Sequence, residues 1–183
     1  HYFFRFLCNG VSSPIASTKT LPSDTAQSVK LSVVSCSNYP AGYFHAYSLA
    51  SQQKHVDAIL HLGDFIYEYG RDGYASEQAE ELGREVLPEH ELISLQDYRT
   101  RYAQYRTDMN LQKLCHSAPL IAVWDDHEVT NDAYKDGAEN HQANEGSYFK
   151  RKAAAMRAYF EWMPIRESAD AANQMINRSF KFG

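Results

Sequence analysis

The sequence predicts an α/β fold. Residues 31–36 and 56–62 are apolar runs of strand length. The stretch between them, residues 42–55, carries Tyr43, Phe44, Tyr47, Leu49 and Ala50 and reads as a helix. Strand–helix–strand is the building block of a parallel sheet. A third apolar run, residues 119–124, has the same character. Two of the runs end in carboxylates, in Ile59-Leu60-His61-Leu62-Gly63-Asp64 and in Val123-Trp124-Asp125-Asp126-His127-Glu128. Ligands of open α/β sheets bind at such strand ends.

The other elements follow in chain order. Residues 2–8, with Tyr2, Phe3, Phe4, Phe6 and Leu7, have strand composition and stop at Asn9-Gly10. Residues 11–27 are rich in Ser, Thr and Pro, lack a period and read as an extended linker. Residues 68–93 are polar and broken by Gly70, Gly73, Gly83 and Pro88, a long loop of the kind that carries function. Helices are expected over 95–107 and, shorter, over 112–116, and residues 129–145 form a second polar loop. Residues 148–162 place Ala153, Ala154, Met156, Tyr159 and Phe160 at helical spacing, and Pro164 stops that helix. Residues 176–182 alternate Ile176, Arg178, Phe180 and Phe182 with polar neighbours and read as the start of another strand.

The chain has 183 residues, 44% of them hydrophobic and 22% charged, which suits a globular domain with a real core. A net charge of −5 argues against a general nucleic-acid binder but leaves room for a local phosphate site. No apolar run has the length of a membrane span. With Cys8, Cys36 and Cys115, at least one thiol is unpaired or metal-bound; a Cys8–Cys115 disulfide is one pairing the count allows. The aromatic run that opens the chain at His1 suggests a piece of a longer protein.

Asp64 follows Gly63, which permits a sharp turn. The competing reading is a residue that caps the next segment. Tyr67 and Glu68 add two further oxygen ligands nearby. In Asp125-Asp126-His127-Glu128, adjacent carboxylates repel unless a proton or cation compensates, and His127 suits general acid catalysis or ligation. The competing reading is an exposed acidic turn, which Trp124 and the apolar run before it oppose. Cys36 closes its own strand. Alone it would be a core thiol, but beside carboxylates it becomes a credible thiolate ligand. Thiolate, phenolate and carboxylates together suit iron or zinc better than magnesium. His61, inside a strand, reads as a core histidine, and His45, His55, His90, His116 and His141 as surface or wall residues. Arg99, Arg101 and Arg106 form either an anionic-substrate wall or, more commonly, a solvated helix face. Glycine-rich phosphate loops, zinc-finger spacings and the Gly-x-Ser-x-Gly elbow are absent.

Ser35-Cys36-Ser37, His61-Leu62-Gly63-Asp64-Phe65-Ile66-Tyr67-Glu68-Tyr69-Gly70, Leu95-Gln96-Asp97-Tyr98-Arg99-Thr100-Arg101-Tyr102 and Trp124-Asp125-Asp126-His127-Glu128-Val129-Thr130-Asn131 occur in that order. Together they resemble the PhoD-like alkaline phosphatase and phosphodiesterase family of the calcineurin-like metallophosphoesterase superfamily, from about residue 31 to 164. The resemblance implies a four-layer α/β/β/α sandwich and hydrolysis of phosphomonoesters and phosphodiesters with ferric iron and calcium. By motif, Cys36, Asp64 and Tyr67 would hold iron, with a visible charge-transfer colour from the phenolate. Asp64 would bridge to calcium, and Asn131 would be a calcium ligand. Asp126 would contact metal, and His127 would assist the leaving group or bind phosphate. The superfamily's Asp-x-His opening is absent, with Cys36 near its place, as in the PhoD-like branch.

The same resemblance divides the chain into residues 1–10 as the end of a preceding β-sandwich domain, 11–28 as a linker and 29–183 as the first half of a catalytic domain. Further ligands are expected from later segments of such a protein. It also implies an extracytoplasmic protein, periplasmic or secreted, acting on small phosphate esters. Two alternatives stand beside it: a non-catalytic binding fragment, and a zinc or manganese calcineurin-like phosphoesterase with another substrate.

Overall fold

Parallel strands β5 (Leu31–Val34), β6 (Ala58–His61) and β7 (Leu120–Ala122) form the central sheet, in the order β5-β6-β7. Leu31 lies opposite Ala58, and Ile59 opposite Leu120. The computed structural model describes residues 1–23, 26–166 and 176–183. Parallel neighbours need crossovers, and helices supply them. Helix α1 (His45–Ser51) joins β5 to β6; α2 (Leu95–Tyr105) and α3 (Met109–Ser117) lie between β6 and β7. Helix α4 (Tyr148–Trp162) follows β7 and packs on α2, while α1 packs on α3.

The helices start where side chains satisfy their open N–H groups. Ser94 and Asp97 form a reciprocal capping box at the start of α2. Asp108 accepts from the amides of Asn110 and Leu111 at the start of α3. The predicted 42–55 helix is real but shorter. Phe44, at φ −80 and ψ 54, offers no side-chain cap, and His55 has φ +62, which no helix continues through. The predicted strands are likewise trimmed at their ends, and the second short helix runs longer, over Met109–Ser117.

The helix-facing side of the sheet is tightly packed. Ile59 and Ala122 meet Tyr98, Tyr102 and Tyr105 of α2 and Ala155, Ala158 and Tyr159 of α4, all in one buried cluster. The opposite side is open: Leu31, Val33, Leu62 and Val123 are exposed there.

The predicted strand at 2–8 is broken in two. Short antiparallel strands β1 (Tyr2–Phe4) and β4 (Ala16–Thr18) pair, as do β2 (Leu7–Cys8) and β3 (Val11–Ser12). Asn9 and Gly10, both at positive φ, make the turn between β2 and β3. So the stretch read as an extended linker contains two short strands that fold back on the first. The strand expected over 176–182 does not form; residues 176–183 are irregular, and Arg178 instead donates to the Ala122 carbonyl beside β7. The Cys8–Cys115 disulfide is not made, since all three cysteines are free.

Candidate metal centre

The site begins where β5 and β6 end. Their pairing continues past the strands: the Cys36 amide donates to the Gly63 carbonyl at 3.2 Å, and the Ser37 amide to the Asp64 carbonyl at 2.8 Å. Cys36 and Asp64 then both turn left-handed, at φ +59 and +53. Such conformations cost a non-glycine residue about 1–2 kcal/mol and concentrate at functional sites. Gly63 itself has φ +105, and a Cβ there would stand 2.5 Å from Asp125 Cβ and 2.5 Å from Asp125 N. Only glycine lets the end of β6 lie against the segment that follows β7.

Asp64 sits at the meeting point. Its Oδ2 receives the Cys36 thiol at 3.4 Å and the Tyr67 hydroxyl at 3.4 Å. Ligand-capable atoms of Asp64, Asp126 and His127 also lie within 4.8 Å of one another. Asp64 Oδ1 is buried and has no hydrogen-bond partner. Burial raises the Asp64 pKa, and the charges of Asp125 and Asp126 add to that against the His127 imidazole and the Cys36 hydrogen bond. A buried acceptor without a donor among clustered carboxylates is what a cation would satisfy. The residues therefore fit a metal: a thiol, a phenol, a second carboxylate and an imidazole all converge on Asp64.

Tyr67 is buried, and desolvation, reinforced by the Asp64 charge, holds its phenol proton far above the ordinary range. Its deprotonation would have to be driven by a bound cation.

His127 is fixed from behind. Glu68, fully buried, accepts from His127 Nδ1 at 2.7 Å, Asn131 N at 2.7 Å, Asn140 Nδ2 at 2.8 Å and Thr130 Oγ1 at 3.2 Å. This places the proton on Nδ1 and leaves Nε2 for a metal or a substrate oxygen. The Tyr67 ring lies against the imidazole, centroids 4.2 Å apart. Burial opposes the imidazolium, but the hydrogen bond and charge of Glu68 outweigh it and raise the His127 pKa. In Glu68 burial is likewise outweighed, by His127, Asn140 and the Asn131 amide, and the pKa falls. Glu68, read from sequence as an extra oxygen ligand, is instead a positioning residue with its oxygens committed.

The acidic run separates into different tasks. Asp126 and His127 face the site. Asp125 caps the 3-10 turn Asp126–Glu128. Glu128 is wholly buried and accepts from the amides of Asp64 (3.0 Å), Phe65 (2.5 Å) and Asp125 (2.7 Å). It staples the two strand ends together, its pKa raised by burial to about 8 against those donors. Asn131 reaches the cluster through Glu68. Its amide nitrogen donates to Glu139 at 3.0 Å, so the amide oxygen is the atom left for a cation.

The arginines of α2 and its C-cap do not form a simple solvated face. Arg101 is fully buried and donates to the carbonyls of Tyr67, Tyr69 (2.8 Å), Leu87 (2.9 Å) and Pro88 (3.3 Å), pinning the loop that carries Tyr67. Arg99 pairs with Glu161 at 2.6 Å, and Arg106 donates to the Trp162 carbonyl at 2.8 Å. The spacing of Tyr98, Arg101, Tyr102 and Tyr105 on one helical face was the available signal for Arg101. His61 is a core histidine as expected, its Nε2 bonded to Ser37 and Tyr47 and its pKa lowered by burial to about 4.

Comparison with known proteins gives a consistent result. The family model described as PhoD-like phosphatase matches residues 31–183. Alkaline phosphatase D of Bacillus subtilis (strain 168) is 40% identical over 187 residues, covering 100% of this chain and 31% of that protein. A solved structure of PhoD superposes with a TM-score of 0.88 at 38% identity, covering 100% of this chain and 35% of that one. The chain thus spans about a third of the length of these relatives.

Proposed function

The chain belongs to the PhoD-like phosphatase family, and from that premise we propose that its carboxylate cluster is part of a metal centre that hydrolyses phosphomonoesters and phosphodiesters. The observation that carries this is Asp64, shared between the Cys36–Tyr67 pair and the Asp126–His127 pair, with Oδ1 buried and unpartnered.

We assign ferric iron to Cys36, Tyr67 and Asp64, because thiolate and phenolate favour a transition metal. Calcium goes to the oxygen-rich side, formed by Asp64, Asp126 and the Asn131 amide oxygen. Zinc or manganese is the alternative filling. Such ions would supply the positive charge that neutralises phosphoryl oxygens and activates water. The chain's own residues do the rest. Glu68 holds the Nδ1 proton of His127, so Nε2 is oriented towards the cluster and can give a proton to the departing alkoxide oxygen. Arg101 and Glu128 keep Tyr67 and Asp64 in place.

The four-layer sandwich and the extracytoplasmic location belong to the same proposal. The open apolar face at Leu31, Val33, Leu62 and Val123 supports a further covering layer, since parallel sheets are ordinarily covered on both sides. Location rests on the family's habit alone. No helix among the described residues is long and apolar enough to cross a membrane.

The test combines metal analysis of the protein carrying this chain with assays on p-nitrophenyl phosphate and its bis-ester. Iron with calcium and hydrolysis of both esters supports the assignment. Zinc or manganese without iron moves it to the alternative, and the absence of any bound metal sinks it. Cys36→Ala should remove iron and the visible phenolate band; unchanged iron content and colour would exclude Cys36.

A further inference from the structure

A cleft of about 420 Å³ opens directly beside Asp126 and is bounded by Trp124, Asp125, Tyr134, Lys135 and Lys152. It is distinct from the Cys36–Tyr67 side of Asp64, and nothing in the metal centre uses its basic groups.

Its lining sets two lysines against two aspartates, in a chain of net charge −5. Among the described residues, no carboxylate lies within ion-pair distance of Lys135 or Lys152. The two acids of the cleft are each held by a backbone amide: Asp125 accepts from the Asp126 amide at 3.0 Å, and Asp126 accepts from the Asp132 amide at 2.5 Å and also belongs to the cluster with Asp64 and His127. Lys152 is held in position. Its ammonium donates to the carbonyls of Lys135 (3.2 Å) and Tyr134 (3.4 Å) and lies 5.7 Å from the Tyr148 ring centre. An ammonium has three donors, so one is left for a ligand, and a group already anchored loses little freedom on binding. Trp124 and the exposed Tyr134 ring supply an apolar wall.

We propose that this cleft binds the substituent of the substrate and selects those carrying a second anionic group, Lys135 and Lys152 being its specificity-determining residues. The proposal rests on the phosphoesterase reading. With one phosphoryl group at the Asp64–Asp126–His127 cluster, a second phosphate, phosphonate or carboxylate a few bonds away reaches the two ammonium groups, while the linking atoms lie against Trp124 and Tyr134. A simple monoester leaves the cleft empty.

The experiment compares ethyl p-nitrophenyl phosphate with an analogue whose alkyl group ends in a phosphonate, in the protein carrying this chain. The phosphonate ester should show a KM about tenfold lower, the scale of one or two charge-assisted hydrogen bonds in a half-open cleft. Lys135→Met and Lys152→Met should each raise that KM severalfold, leaving kcat and the ethyl ester's constants unchanged, and Lys152→Arg should keep the preference. Equal KM values for the two esters, or parallel losses on both, would overturn the proposal. In parallel, amine acylation read by mass spectrometry should show Lys135 and Lys152 protected by the phosphonate ester but not by the ethyl ester. If neither ester is hydrolysed, the phosphoesterase reading fails and the protection still decides the cleft: shielded lysines support anion binding, and unshielded lysines overturn it.

Discussion

Single residues at the centre do separable work. Gly63 is required twice, by φ +105 and by the 2.5 Å approach to Asp125. Gly63→Ala should destabilise the fold by about 2–3 kcal/mol in urea unfolding and weaken metal binding, because the two strand ends must part. Glu68 acts through His127. Since its carboxylate raises the His127 pKa, the imidazolium contributes stability that is fully present below the unfolded pKa and is lost as pH rises through the higher folded value. Glu68→Gln should lower that folded pKa, moving the basic limb of the kcat–pH profile to lower pH and reducing activity roughly 10–100-fold. An unmoved limb would show that Glu68 does not set the protonation of His127. The placing of Asp64 and Cys36 at strand ends was legible in the sequence because they close apolar runs. Glu68 was read as an oxygen ligand and Glu128 was given no task of its own, because the sequence does not say which carboxylates meet backbone amides and which face the cluster.

The helices hold these residues by capping and cross-bridging. Ser94 and Asp97 start α2, the helix that carries Arg101; Ser94→Ala should cost about 1 kcal/mol in a denaturant melt. Helix α2 is tied to α4 by Arg99 and Glu161, with Arg157 beside them. The Arg99 hydrogen bond, against a little burial, lowers the Glu161 pKa to about 2. Its contribution is therefore present above the unfolded carboxylate pKa and is lost as pH falls from there through about 2. Glu161→Gln should flatten the stability–pH curve in that window, and added salt should do the same to the parent protein. A slope unchanged by the substitution would mean that the bridge is too solvated to matter. Helix α4 was predicted with its observed bounds because its period is strong and Pro164 ends it. Strands β1 to β4 are two or three residues long, too short to show a period, and their pairing across the Asn9-Gly10 turn reclassified the supposed linker.

At the scale of the molecule, the sheet divides a packed side from an open one, and the cluster lies at the edge where its strands end. Clustered acids cost stability when the cation is removed. Chelation should lower Tm by several degrees, with Cys36→Ala already part-way there and less sensitive to an iron chelator. A Tm indifferent to chelation would separate the cluster from any metal role. The cleft at Lys135 and Lys152 belongs to this scale as well, because α4 and the loop after β7 must meet to form it.

The sequence by itself determined the α/β class, the sheet and helices that carry the cluster, and the residues at its strand ends. Apolar periodicity, glycine and proline punctuation and the carboxylates after each run are local properties of the chain. Only the tertiary structure decided that Asp64 meets Cys36, Tyr67, Asp126 and His127 at one point, that Glu68 and Glu128 serve His127 and the backbone, that Arg101 is buried, and that two lysines stand beside Asp126. Those outcomes depend on which distant groups satisfy each buried donor and acceptor, and desolvation makes that pairing compulsory only once the strands and helices have closed on one another.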